Sequence, residues 1–192
     1  MTRVIAGIAG GRRLSVPAGR DTRPTSDRAR EGLFATVQAL HGPLHGASVL
    51  DLYAGSGALG LEALSRGAGR VRLVESDPRA VRVIKANVAA LGLDGAEVVA
   101  GRVAAVLARG PGGPPFDVAL ADPPYALPGD AVTAMLTALA QAGWLARGAL
   151  LAVERSTRSG PLEWPEGYVG DRSRRYGEAT FWYGLATGAL QA

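Results

Sequence analysis

The stretch Ser48-Val-Leu-Asp-Leu-Tyr-Ala-Gly-Ser-Gly-Ala-Leu-Gly60 decides the fold that we predict for this chain. Its apolar beginning is typical of a buried strand, and the small residues from Ala54 to Gly57 are typical of a tight turn before a helix. Glycine is favoured in such a turn because a Cβ would collide with a ligand lying on the backbone, and because glycine allows positive φ. The stretch therefore predicts a strand, a ligand-binding glycine loop and a helix.

Two kinds of nucleotide-like ligand fit this loop. Gly55, Gly57 and Gly60 satisfy G-x-G-x-x-G and Glu75 closes the next apolar run, as in dinucleotide-binding proteins. Asp51 argues against that ligand, because a carboxylate at the end of the first strand repels a pyrophosphate. S-adenosylmethionine has no phosphate and carries an ammonium and a sulfonium, so Asp51 can hold its ammonium directly or through water. We therefore favour S-adenosylmethionine over a dinucleotide and over a glycine turn without a ligand.

A second motif follows another apolar strand and reads Asp122-Pro123-Pro124-Tyr125. Ligands of open parallel sheets bind beyond the carboxyl ends of the strands, so we expect Asp122 to face the same crevice as the glycine loop. The Asp122 carboxylate and the Pro123 carbonyl can orient an exocyclic base amine and stabilise the charge that develops on its nitrogen. Pro123 and Pro124 stiffen the turn, and Tyr125 offers a flat face to a base that has left its stack. By itself the motif also fits a proline turn with a capping Asp, but its pairing with the glycine loop favours the amine site.

The composition limits the classes of protein and of chemistry. The chain has 192 residues, of which 47% are apolar and 20% charged, as expected for one soluble domain with a small appendage. It has no cysteine, which excludes disulfides, cysteine-ligated zinc and thiolate attack on a base carbon. Methyl transfer to nitrogen is therefore favoured, and we expect no metal. The sequence has no membrane-spanning run and no signal-peptide pattern, so we expect a cytoplasmic protein that does not contact a membrane.

Basic charge is concentrated at the N-terminus. Residues 1–34 carry seven arginines and three acidic residues, so their net charge equals the formal +4 of the whole chain. Guanidinium groups bind phosphates bidentately, and the cluster therefore indicates a nucleic-acid surface. A coding bias can explain why the basic residues are arginine rather than lysine, but it does not explain why they cluster at the N-terminus.

The same region predicts an appendage. Two short strand-like runs flank Gly10-Gly11 and predict a β-hairpin, with Arg12 and Arg13 near its tip. Few apolar residues are available to anchor it, so we expect a hairpin that moves until something binds. The hairpin and an irregular linker make up residues 1–22, and the main domain spans 23–192.

Strands and helices alternate from residue 48 to 154, which predicts a doubly wound, mostly parallel sheet with helices on both faces. The region 168–186 contains strand-like runs without a helix between them, which predicts an antiparallel edge hairpin. The apolar face at 27–40 predicts a further helix, capped by Ser26 or Thr25.

Four stretches together resemble the RsmD family: Arg23-Pro-Thr-Ser-Asp-Arg-Ala-Arg-Glu31, Asp51 to Arg66, Val74-Glu-Ser-Asp77 and Asp122 to Tyr125. Members of this family are Rossmann-like class I methyltransferases that modify the exocyclic N2 of one guanine in bacterial small-subunit (16S) rRNA. The resemblance covers essentially the whole chain. The Asp-Pro-Pro-Tyr motif alone is less specific, because related enzymes use it on adenine or cytosine amines.

The resemblance also implies roles for the candidate residues. The cofactor would be held at its methionyl end by Asp51, Gly55 and Gly57, at its ribose by Glu75, and at its adenine by backbone groups of Arg102 and Val103. Further cofactor-binding residues would be Tyr53, Ala54, Ser56 and Ser76. Arg102 stands where many class I enzymes have an Asp, which is why we assign only backbone groups there. The guanine would be held by Asp122, Pro123, Pro124 and Tyr125, and the RNA by Arg3, Arg12, Arg13, Arg23, Thr25, Arg28 and Arg30.

We therefore predict a monomeric enzyme that transfers a methyl group directly from S-adenosylmethionine to guanine N2, without a covalent enzyme intermediate. Its substrate would be 16S rRNA, either free or within the small ribosomal subunit. Three alternatives stay open: methylation of another nucleic-acid amine (adenine N6 or cytosine N4), a nicotinamide-dependent oxidoreductase, and a non-catalytic rRNA-binding assembly factor.

Overall fold

Strands and helices alternate along most of the chain and build one large sheet. In the computed structural model, which describes residues 2–17 and 26–188, the strands are β1 (Thr2–Arg3), β2 (Arg13–Leu14), β3 (Ser48–Leu52), β4 (Arg70–Glu75), β5 (Ala96–Ala100), β6 (Phe116–Ala121), β7 (Leu145–Ser156), β8 (Tyr168–Tyr176) and β9 (Ala179–Ala186). The helices are α1 (Asp27–His41), α2 (Ala58–Ser65), α3 (Pro78–Leu91), α4 (Val103–Leu107) and α5 (Gly129–Gln141), and a 3-10 turn spans Thr157–Ser159. No helix in the two described ranges has the length and apolar character needed to cross a bilayer.

The large sheet has the strand order β5-β4-β3-β6-β7-β9-β8. Strands β3 to β7 run parallel, whereas β9 pairs antiparallel with both β7 and β8. The chain first adds β4 and β5 on one side of β3 and then returns to add β6 and β7 on the other side. The switch point between β3 and β6 opens a crevice at the carboxyl ends of these strands, where ligands of such sheets bind. The predicted doubly wound sheet with an antiparallel edge hairpin is confirmed.

Helices cover both faces of the sheet. One face buries side chains of α1, α2 and α3, such as Phe34, Leu61 and Ile84. The other face buries those of α4 and α5 around Trp144 and Phe116, whose stacked rings have centroids 6.1 Å apart. Strands in the middle of the sheet are buried on both faces and need apolar residues at successive positions, which explains the continuous apolar runs at 118–121 in β6 and 149–153 in β7.

Local signals set the helix ends. The Ser26 hydroxyl accepts a hydrogen bond within the first turn of α1, and Asp77 caps α3 with Pro78 in the first helical position. Gly92, with a φ of 63°, ends α3 in the left-handed conformation. Of the two residues proposed to cap α1, Ser26 is used, and Thr25 lies outside the described residues.

The N-terminal segment, residues 2–17, packs against the domain. Its hairpin pairs two residues on each side, Thr2 with Leu14 and Arg3 with Arg13. Val4, Ala9 and Leu14 are at most 2% exposed and join the core on the α1–α3 face. As expected, few apolar residues anchor this hairpin, since Ile8 and Val16 are exposed; the three buried side chains nevertheless dock it on the domain.

Helix α2 holds the same segment through a buried carboxylate. The side chain of Glu62 has no solvent exposure and accepts hydrogen bonds from the backbone N–H groups of Ile5 at 2.6 Å and Ala6 at 3.0 Å. It also pairs with Arg66 Nε at 2.7 Å. A buried carboxylate needs such donors, because an unpaired charge in the interior is costly.

Candidate active site

The loop after β3 has the backbone conformation of a ligand-binding turn. Gly55 and Gly57 have φ values of 58° and 81°, and Tyr53 also has a positive φ of 61°. A non-glycine residue in this region is uncommon and concentrates at functional sites. A Cβ on Gly55 would approach no atom of the described chain more closely than 3.9 Å, so the space above it is open for a ligand. The predicted need for positive φ at both glycines is confirmed.

Asp51 lies buried beneath this loop with half of its carboxylate unpaired. The side chain is 1% exposed; Oδ2 accepts a hydrogen bond from the Gly60 N–H at 2.9 Å, whereas Oδ1 has no donor in the part of the chain that the structure describes. Burial raises the pKa of Asp51 to about 7, the Gly60 hydrogen bond opposes this rise, and the charge of Glu75 adds to it. A buried carboxylate with an unpaired oxygen suits a cationic ligand group.

The same contact disfavours a dinucleotide. Gly60 lies in the first turn of α2, where unpaired backbone N–H groups would bind a pyrophosphate. Asp51 already accepts from one of these groups and places a carboxylate beside the others. The G-x-G-x-x-G pattern is therefore present without the anion site that normally accompanies it.

Glu75 ties the glycine loop to the end of β4. Its Oε2 accepts from the Gly55 N–H at 2.9 Å, and its Oε1 accepts from the N–H groups of Ser76 at 2.7 Å and Asp77 at 2.8 Å. The side chain is 4% exposed. A carboxylate offers about four acceptor positions, so these three bonds leave room for a ribose hydroxyl. Glu75 therefore shapes the loop in addition to the ribose role that we predict for it.

The other proposed cofactor residues surround the same crevice. The Ala54 N–H donates to Val74 O at 3.0 Å, which joins the loop to β4. Arg102 is exposed and precedes the first residue of α4, Val103, which is buried. The bond from Gly101 N–H to Glu75 O at 2.9 Å holds this turn beside the end of β4. The structure thus brings the turn at 101–103 next to the proposed ribose site.

The Asp-Pro-Pro-Tyr turn lies directly across from the glycine loop. Asp122 follows β6, and its N–H donates to Leu52 O of β3 at 3.3 Å. Burial, the charge of Glu154 and the charge of Asp51 raise the pKa of Asp122 well above its usual range. Pro123 is buried, whereas the Tyr125 side chain is 51% exposed. The turn thus presents an acidic acceptor and an accessible aromatic ring at the mouth of the crevice.

Glu154 completes this group of acids and was missed in the sequence. It lies near the end of β7, is 4% exposed, and its Oε1 accepts a hydrogen bond from the Tyr125 hydroxyl at 3.1 Å. Burial and the charge of Glu154 raise the pKa of Tyr125, so its hydroxyl stays protonated. An acid at the end of an apolar strand, as at Glu75, was the available signal.

A second missed residue connects the N-terminal segment to the glycine loop. The Asn87 side chain, 3% exposed on α3, accepts from the Ser15 N–H at 2.9 Å and donates to Ser15 O at 3.0 Å and to Ser56 O at 2.9 Å. A polar residue on the buried face of an apolar helix was its signal. The bond from Asn87 to Ser56 O thereby holds the backbone of the glycine loop against α3.

The arginines proposed to bind RNA have different environments. Arg13 and Arg28 are exposed, and Arg3 is exposed while its Nε pairs with Asp27 Oδ2 at 2.9 Å. Arg30 is 1% exposed and pairs with Asp27 Oδ1 at 2.7 Å, so it does not present a guanidinium to a surface phosphate. Arg12 donates to the backbone carbonyls of Ala90 and Leu91 at the end of α3. Arg23 and Thr25 lie outside the described residues.

Buried Arg30 therefore departs from the prediction that the N-terminal arginines form one surface, whereas Arg12 is exposed and its role in RNA binding stays a prediction. Arg12 places its positive charge where the helix α3 carries its unsatisfied carbonyl groups. Arg30 helps to hold the start of α1.

Comparison with known proteins identifies the family. A family model described as Conserved hypothetical protein 95 matches residues 2–184. The Ribosomal RNA small subunit methyltransferase D of Escherichia coli (strain K12) is 37% identical over 166 residues, which cover 84% of this chain and 80% of the relative. Among solved structures, the candidate methyltransferase yhhF from Escherichia coli matches with a TM-score of 0.84 at 33% identity over 98% of both chains. A hypothetical protein from Thermus thermophilus matches with a TM-score of 0.79 at 37% identity over 99% of this chain and 100% of its own. The chain therefore belongs to the RsmD family, the family of the ribosomal RNA small subunit methyltransferase D proteins.

Proposed function

We propose that the protein transfers a methyl group from S-adenosylmethionine to the exocyclic N2 of a guanine in 16S rRNA. One observation carries this proposal: Asp51 near the carboxyl end of β3 and Asp122 just after the neighbouring strand β6 lie close enough for the charge of Asp51 to raise the pKa of Asp122. One acid is suited to a cationic cofactor group and the other to an amine. Family membership and the names of the relatives support rRNA as the substrate, and the resemblance described above supports guanine N2.

The residues present fit the cofactor. The unpaired Oδ1 of Asp51 is an acceptor for the methionyl ammonium, and the open backbone at Gly55 leaves space beside it. Glu75, with Ser76 next to it, has acceptor capacity for the ribose hydroxyls, and the turn at Arg102 and Val103 offers backbone groups to adenine. When bound, S-adenosylmethionine supplies an electrophilic methyl group.

The chain's own residues prepare the amine. The Asp122 carboxylate and the Pro123 carbonyl accept hydrogen bonds from the two amine hydrogens, which fixes the direction of the nitrogen lone pair. The same acceptors stabilise the positive charge on nitrogen as the new C–N bond forms and the bond from sulfur to the methyl group breaks. One amine proton then leaves to Asp122, whose raised pKa makes it a better proton acceptor, or to water. Tyr125 supports the base by stacking.

Labelling of small ribosomal subunits tests the proposal. Purified protein is incubated with methyl-labelled S-adenosylmethionine and subunits from cells that lack the endogenous activity, and the labelled nucleoside is identified after digestion. We expect label in N2-methylguanosine. Label in an adenosine or a cytidine would overturn the guanine assignment, and absence of label from intact subunits and from free 16S rRNA would favour an assembly factor.

Matched variants then test the site. Asp122→Ala should lower the transfer rate by at least about 100-fold while S-adenosylhomocysteine affinity changes little, because Asp122 orients the amine rather than the cofactor. Asp130→Ala is the control, since Asp130 is exposed on α5 and hydrogen-bonds within its own turn. Unchanged transfer by Asp122→Ala would remove Asp122 from the mechanism.

A further inference from the structure

Glu154 lies beside the proposed amine acceptor on the neighbouring strand. Ala121 of β6 pairs with Val153 of β7, so the residues that follow them, Asp122 and Glu154, stand side by side at the same edge of the sheet. Neighbouring strands are about 4.8 Å apart, which brings two carboxyl groups within reach of one base. Glu154 is 4% exposed, so a group that contacts it inside the crevice would be largely shielded from water.

Tyr125 fixes one part of this carboxylate. Its hydroxyl donates to Glu154 Oε1 at 3.1 Å, which orients the carboxylate relative to the ring on which the base would stack. A carboxylate has about four acceptor positions, so one that already has partners in the protein can still accept from a base. The Tyr125 ring, the proposed amine acceptor Asp122 and the second acceptor Glu154 therefore lie in one connected group at the mouth of the crevice.

The exocyclic amines of guanine, adenine and cytosine differ in whether a neighbouring ring nitrogen carries a hydrogen. In guanine the N2 amine is adjacent to N1–H, which is a donor. In adenine and cytosine the amine is adjacent to a ring nitrogen whose lone pair is an acceptor. A buried carboxylate accepts from the first and repels the second, and a site built for a donor strongly rejects an analogue that lacks it.

We propose that Glu154 is a specificity-determining residue that accepts a hydrogen bond from guanine N1–H while Asp122 and Pro123 hold the N2 amine. This inference rests on the proposed function and extends it to the choice of base. It assigns to Glu154 a direct contact with substrate, in addition to its bond with Tyr125.

The nucleobase 2-aminopurine keeps the N2 amine, has an acceptor at N1 and lacks O6, so the role of N1–H is read from how Glu154→Gln changes the preference for guanine over 2-aminopurine. The methylated position is first mapped by sizing the labelled RNA fragments after a sequence-specific ribonuclease digestion. Small subunits are then reconstituted on 16S rRNA into which an oligoribonucleotide has been ligated, carrying guanine or 2-aminopurine at that position. Methyl transfer is measured on both, and subunit affinity is measured on both with S-adenosylhomocysteine present. We expect the wild-type protein to methylate guanine on the order of 100-fold faster than 2-aminopurine.

Glu154→Gln is the informative variant. Glutamine keeps an acceptor for Tyr125 and adds an NH₂ donor for the N1 lone pair of 2-aminopurine, so the guanine preference in rate and in affinity should fall at least about tenfold. Tyr125→Phe removes only the hydroxyl and should slow both substrates with an unchanged preference. Glu97→Gln, at an exposed ion pair with Arg72, should change nothing.

The outcomes separate the two proposals. A Glu154→Gln protein that melts like the wild type and keeps the full guanine preference in affinity and rate would overturn the role of Glu154 and leave the proposed function intact. A loss of preference in Tyr125→Phe equal to that in Glu154→Gln would also overturn it, because Glu154 would then act through Tyr125. Failure of the wild-type protein to label guanine subunits would overturn the proposed function, and this inference with it.

Discussion

Asp51 accepts the backbone N–H of Gly60 at 2.9 Å and thereby joins the end of β3 to the first turn of α2. One oxygen of the carboxylate is fixed by this bond, and the other has no donor among the described residues. The protein thus holds a buried acid in place before any cation reaches it. Such preorganisation costs stability in the ligand-free protein and favours binding of a cationic group.

Asp51→Asn should stabilise the ligand-free protein at high pH. Folding raises the pKa of Asp51 from 3.8 to about 7, so its contribution to stability is full below pH 4 and is lost as the pH rises through 7. Asparagine keeps the acceptor for Gly60 and cannot ionise, so at pH 8 the variant should be more stable by about 1–4 kcal/mol, and at pH 5 by less than half as much. Calorimetry at both pH values measures this, with Asp94→Asn on an exposed loop as the control. An equal effect at both pH values would contradict the assignment.

Cofactor affinity should depend on pH in the same range. A cationic ammonium prefers the ionised form of Asp51, so S-adenosylhomocysteine should bind more tightly as the pH rises toward 7, by up to about tenfold per pH unit, and then level off. Titration calorimetry between pH 5 and 8 measures the affinity. The Asp51→Asn protein should bind weakly with a flatter profile, and a wild-type profile without slope would argue against an Asp51–ammonium pair.

Substitution of Arg12 should mainly lower stability, whereas substitution of the adjacent Arg13 should mainly weaken RNA binding. Arg12 Nη1 donates to Leu91 O at 2.8 Å, so Arg12→Ala should destabilise the protein by about 0.5–2 kcal/mol. Exposed Arg13 should change stability by less than about 0.5 kcal/mol, and Arg13→Ala should reduce the salt dependence of RNA binding by about one ion. Urea unfolding and filter binding at several salt concentrations separate these effects. The reverse pattern would show that the docked position of Arg12 is not the one that governs the protein in solution.

Gly60→Ala should be destabilising although alanine favours helices. A Cβ at this position would lie 2.8 Å from Leu73 Cδ2, 2.9 Å from Val71 Cγ1 and 3.0 Å from Asp51 Oδ2. We expect a loss of about 1–3 kcal/mol in urea unfolding and weaker S-adenosylhomocysteine binding, because α2 must move away from Asp51. Gly129→Ala, which meets no atom within 4 Å, is the matched control and should be neutral or slightly stabilising. Equal effects of the two substitutions would refute the packing argument.

The parts that could be predicted from the sequence are those specified by local signals. Asp51, Glu75 and Asp122 each close an apolar run, and parallel strands bring such closing residues to one edge, so their proximity follows from the strand pattern. Glu154 obeys the same rule, and the apolar run that it closes was the available signal. It was not singled out because no turn motif follows it, since Arg155 and Ser156 continue the strand.

Long-range partners could not be predicted. Counting arginines gives the charge of a region but not the atoms that each guanidinium meets, and Arg12 meets carbonyl groups 78 and 79 residues away. Likewise, the anchoring of residues 2–17 depends on Glu62 and Asn87, whose roles become visible only once α2 and α3 are packed on the sheet.

The hydrogen bonds from Ile5 and Ala6 to Glu62 determine which truncations and chimeras of this protein can stay folded. A chain begun at residue 23 would lose two of the donors to a carboxylate that has no solvent exposure and would uncover the core beneath Val4 and Leu14. Leaving such a charge short of partners costs several kcal/mol, a large share of the stability of a domain. Residues 2–17 and the glutamate of α2 therefore form one structural unit, and a chimera that exchanges one without the other should be less stable than either parent.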